Sequence, residues 1–75
     1  MHATDIGALC EARGWTRARL ILELRKAAQT RKTSLPSDDS LRRMIREWAN
    51  GRRGLSGFYA ELLGIVFQTP FHVGM

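Results

Sequence analysis

The chain is 75 residues long, 44% hydrophobic and 25% charged, with a net charge of +5. That length makes one domain with a small core. No apolar run reaches the roughly 20 residues that span a bilayer, and a single cysteine excludes an internal disulfide and a cysteine-cluster zinc site. Twelve basic residues, ten of them Arg, face seven acidic ones. A GC-rich genome accounts for the Arg-to-Lys ratio as well as any function does, but not for the net charge, which favours a polyanionic partner. Asp5 and Glu11 stand where a signal peptide needs a basic start and an apolar run, so a cytoplasmic location is expected.

The first helix is expected over Asp5 to Arg13, with Thr4 as N-cap, Ile6, Leu9 and Cys10 as its apolar stripe and Gly14 as its stop. Thr16 caps a second helix, in which Leu20, Leu24 and Ala27/Ala28 trace a buried face with Ile21 beside them. Its Ala, Leu, Arg, Lys and Gln content carries it to about Lys32. Thr33 to Pro36 connects, with Pro36 biasing Leu35 toward extended backbone.

Ser37 is a good N-cap for the third helix, and Asp38 and Asp39 suit its first turn. Leu41, Ile45 and Trp48 fall at i, i+4 and i+7, with Met44 inside the same apolar arc. Arg43, Arg46, Glu47 and Asn50 point the other way, with Asp39 one turn earlier and Arg42 at the edge. Asn50-Gly51 ends the helix, because Gly tolerates the left-handed conformation. A fourth helix is expected over Gly57 to Phe67, burying Phe58, Leu62, Ile65 and Val66, until Gln68-Thr69-Pro70 breaks it. Residues 68–75 form a short tail of the single 1–75 domain. The fold class is therefore all-α: four helices, with room for a fifth, and no period-2 alternation.

The segment G-W-T-R-A-R-L (Gly14 to Leu20), followed by I-R-E-W-A-N-G-R-R (Ile45 to Arg53), resembles the lambda-repressor-like, Cro/Xre-type helix-turn-helix family. The similarity covers about Ile6 to Phe67 and looks like the form found among actinobacterial and phage proteins. It implies that the third helix enters the major groove, with Arg42, Arg43, Arg46 and Glu47 at base edges. It also implies that Arg17, Asn50, Arg52 and Arg53 approach phosphates, and that Ile45 and Trp48 hold the helix down. Three departures accompany it. Cys10 and Ala49 replace the Arg and Glu that the family often pairs, so neither charge is stranded. A longer helical hairpin replaces the tight turn between helices two and three. The family's fifth helix is truncated or replaced after Pro70.

No nucleophile–base–orienter set is visible, which argues against an enzyme. His2 and His72 lie near opposite termini with no carboxylate pair or cysteine cluster beside them, so neither a metal nor a cofactor is expected. Trp48 reads as core rather than as a base-stacking platform, and Cys10 as a small buried residue. The expected function is a sequence-specific transcriptional regulator, in the sense of a repressor, that binds double-stranded DNA at a pseudo-palindromic operator, with a homodimer as the form this symmetry favours. The alternative is an antitoxin-like or adaptor module that uses the same scaffold to hold a protein partner. RNA binding is weaker, because the basic face lacks exposed aromatic platforms.

Overall fold

Capping residues set where each helix begins, and the hydrogen bonds confirm most of them. Thr16 Oγ1 accepts from the Arg19 amide at 3.1 Å, Ser37 Oγ from the Ser40 amide at 3.3 Å, and Ser56 Oγ from the Tyr59 amide at 3.4 Å. Each satisfies an amide that the first helical turn leaves without a partner. The computed structural model describes residues 6–52 and 54–69. Its helices are α1 (Ile6–Arg13), α2 (Arg17–Thr30), α3 (Asp38–Ala49) and α4 (Gly57–Phe67), with no strand among the described residues. The expected N-cap Thr4, Asp5, the breaker Pro70 and the tail 71–75 lie outside them.

All four helices stop in the same way. A residue in the left-handed region follows each one: Gly14 (φ 67°), Lys32 (φ 54°), Gly51 (φ 70°) and Gln68 (φ 54°). The next amide then reaches back to a carbonyl five residues earlier: Trp15 to Cys10 at 2.9 Å, Thr33 to Ala28 at 3.1 Å, Arg52 to Glu47 at 2.8 Å and Thr69 to Gly64 at 3.3 Å. This closes carbonyls that would otherwise go unpaired. Gly14 and Gly51 are legible as stops. Lys32 and Gln68 are not, since side chains enter this conformation at a cost of about 1 kcal/mol or more. The expectation that α2 runs to Lys32 is corrected accordingly: it ends at Thr30, whose hydroxyl donates to the Ala27 carbonyl at 2.7 Å.

The core of the described residues is wholly apolar, with no buried polar or charged residue. Ile6 and Cys10 come from α1; Leu20, Ile21, Leu24, Ala27 and Ala28 from α2; Leu41, Ile45 and Trp48 from α3. Ala60, Leu62, Leu63 and Phe67 come from α4, and Leu55 enters from the loop before it. Helix α2 packs on α4 and α3, and α1 packs on α3. Each fully buried Leu or Ile contributes about 1.5–3 kcal/mol relative to exposure. Leu9, Trp15, Leu35, Met44, Tyr59 and Val66 are half-buried around this centre.

The expected α4 face is corrected. Phe58 and Ile65 are exposed, at 41% and 43%, and Val66 is only half-buried. In an almost uniformly apolar helix, periodicity does not choose a face; packing against α2 selects the arc through Ala60, Leu63 and Phe67. Phe67 then does more than fill space. Its ring stacks on Trp15 with centroids 5.5 Å apart. Its carbonyl accepts from Arg13 Nη2 at 2.9 Å, and the same guanidinium lies over both rings, 5.1 Å from Phe67 and 5.7 Å from Trp15. The end of α1 is thus tied to the end of α4, with a cation at the negative helix terminus.

Two outcomes are expected. Ile45→Ala should destabilise the fold by about 2–5 kcal/mol, enough to unfold much of so small a domain, as chemical denaturation would show. Lys32→Gly should stabilise it by about 0.5–1 kcal/mol by relieving the left-handed position. A Tm that falls on that substitution would mean Lys32 does not hold this conformation.

Candidate nucleic-acid interface

Helix α3 is the element on which charge and anchoring separate most cleanly. Leu41 and Ile45 are fully buried and Trp48 nearly so, with the Trp48 ring 5.0 Å from that of Tyr59 on α4. Through α1, α2 and this ring contact, α3 touches every other helix. Arg42, Arg43, Arg46 and Asn50 are exposed, as the spacing predicts, and Glu47 is half-buried rather than fully displayed. Arg52 is exposed just past the helix end. Arg53 lies outside the described residues, as do His2 and His72.

The start of α3 is held from across the connection, a feature the sequence did not signal. Arg25, in the middle of α2, donates from Nη2 to the Pro36 carbonyl at 2.9 Å and from Nε to Asp38 Oδ1 at 3.1 Å. Leu35, just before Pro36, packs against the core. Asp38 therefore combines a favourable place at the positive end of α3 with an anchor to α2. The long connection 31–37 is pinned near its end, so α3 has a defined position relative to α2.

Ion pairs elsewhere meet Arg19, Arg25 and Lys26 of α2. Glu23 takes Arg19 at 2.8 Å and Lys26 at 3.6 Å, and the Arg19 hydrogen bond holds the Glu23 carboxyl below its usual range. Arg31 pairs with Glu61 of α4. On α3, Arg42 Nη1 lies 3.6 Å from Asp39 Oδ1. Among the described residues, Arg43, Arg46 and Arg52 form no ion pair. Arg13, Arg17 and Lys32 are likewise without an ion pair, but each stands on a separate turn, whereas Arg43, Arg46 and Arg52 follow one another along α3 and its C-terminal turn.

Arg17 sits apart from this group, at the first position of α2 and beside Cys10. Burial pushes the Cys10 thiol up, opposed by the charge and hydrogen bond of Arg17 and the charge of Arg13. The cysteine is buried, as expected from its place on α1. Among the described residues no three His, Cys, Asp or Glu side chains come together as metal ligands, and no helix is long and apolar enough to cross a membrane.

Arg25→Ala should destabilise the domain by roughly 1 kcal/mol, the scale of charge-assisted but solvent-exposed contacts. A double-mutant cycle with Asp38→Ala should show coupling between the two; strict additivity would mean the anchor does not form in solution. The chain matches no protein-family model, no curated protein and no solved structure.

Proposed function

We propose that this domain binds double-stranded DNA sequence-specifically, as a transcriptional regulator of the repressor kind, by laying the exposed face of α3 in the major groove. One observation carries the reading: Arg43 and Arg46, with Arg52 just beyond the helix end, form no ion pair, on an element whose opposite side is buried and whose start is pinned by Arg25. A groove about 12 Å wide admits a helix. A helix that cannot roll presents the same side chains to each base pair it meets, which selectivity requires. In this reading Arg42, Arg43, Arg46 and Glu47 face base edges, and Asn50, Arg52 and Arg53 face the backbone. Arg17 meets a phosphate at the start of α2, and two copies bind a pseudo-palindromic site.

A second reading, an antitoxin-like or adaptor module, is favoured by a different feature. Phe58 and Ile65 expose apolar surface on α4, beside a shallow groove lined by Arg31, Thr33, Phe58, Glu61 and Leu62. Phe58→Ser with Ile65→Ser should leave DNA binding intact on the first reading and abolish capture of a stoichiometric protein partner on the second.

Selection from random duplex DNA should enrich one motif, and the symmetry of that motif reports dimerisation. Arg43→Ala should then cost about 1–3 kcal/mol of discrimination at one base pair. Arg52→Ala should weaken all sequences alike and reduce the salt slope by about 0.9. A selection that returns no motif, with affinity no better than for bulk DNA, would sink the DNA reading.

A further inference from the structure

We infer that Asp39 is a specificity-determining residue of the α3 face, and that together with Arg42 it selects a cytosine–guanine base pair. The inference rests on the DNA-binding reading above and goes beyond it by naming the base pair and the acidic residue that reads it.

Asp39 is the second residue of α3 and its side chain is 96% exposed. At about 100° per residue it lies some 20° around the helix from Arg46, 40° from Arg43 and 60° from Arg42. It therefore stands in the middle of the basic face rather than at its border. Its neighbour Asp38 turns toward α2 and takes the anchoring contacts with Arg25. The favourable carboxylate at the start of α3 is thus already supplied, and Asp39 is left with one described partner, Arg42 at 3.6 Å.

So exposed a pair adds little to stability. On a surface that meets phosphates, however, a carboxylate carries a cost against every DNA sequence. That cost is recovered only where the carboxylate finds a donor. In the major groove cytosine presents its N4 amine, a donor, beside the O6 and N7 acceptors of its paired guanine. The Asp39–Arg42 pair presents the mirror pattern, an acceptor beside a forked donor, across the first two turns of the helix, the end at which such helices meet base edges. A thymine at the cytosine position offers the carbonyl O4 instead, which faces the carboxylate unfavourably.

The test is selection from random duplex DNA at matched salt with the native protein, Asp39→Asn and Asp39→Glu, with helix content and Tm measured for each. The native protein should enrich a motif containing an invariant cytosine–guanine pair. Asp39→Asn should bind random-sequence DNA several-fold more tightly while losing roughly ten-fold of its preference at that one pair. Asp39→Glu, which keeps the charge, should retain the preference and serves as the folding control. A motif unchanged at every position in Asp39→Asn would overturn the role of Asp39 while leaving the DNA reading standing. No motif from the native protein would overturn both.

Discussion

Leu41, Ile45 and Trp48 sit on one side of α3 with almost no exposed surface, and they face α1, α2 and the Tyr59 ring of α4. Burying this seam costs α3 its freedom to rotate. Turning the helix by even one residue position would bring arginine, or in the other direction Glu47, into a core that holds no polar side chain among the described residues, and an unpaired charge there costs several kcal/mol. The outward direction of Arg43, Arg46 and Asp39 is therefore a consequence of what is buried behind them. The Arg25 contacts to Pro36 and Asp38 add the second constraint, fixing where the helix begins.

Charge is distributed by the same logic. Arg19, Arg25 and Lys26 of α2 and Arg31 just past its end are met by Glu23, Asp38 and Glu61, each reachable only because of helix spacing or because α3 and α4 lie alongside. On α3 Asp38 pairs with Arg25 and Asp39 with Arg42. The net charge of the whole chain is thus a poor guide to its surface, since pairing offsets it at some cations and not at others. Salt screens such exposed charges over a Debye length of about 10 Å.

Two of the three aromatic contacts among the described residues join helices. Trp15 and Phe67 stack with Arg13 over them, joining the C-terminal ends of α1 and α4, while Trp48 and Tyr59 join α3 to α4. Between them they use most of the large rings. Phe58 remains, with its ring against Tyr59 and substantial surface in solvent. With Ile65 it makes α4 the apolar outer side of the domain, on a different helix from the basic one.

Much of the local structure was legible in the sequence by itself, because it depends on short-range chemistry. Thr16 and Ser37 are caps wherever they precede a helix, Gly14 and Gly51 accept left-handed backbone, and the i, i+4, i+7 spacing of Leu41, Ile45 and Trp48 defines one face of α3 and hence its exposed arginines. Only the tertiary structure decided the remainder. The left-handed turns at Lys32 and Gln68 carry no glycine to announce them, and Leu55 has no periodic neighbours to mark it as core. The apolar sequence of α4 allows any face to be buried until α2 selects one, which is why Phe58 and Ile65 lie outside and Phe67 inside. The Arg25–Asp38 anchor joins residues thirteen positions apart. Helical periodicity has no memory over that distance, and only the folded connection brings the two together.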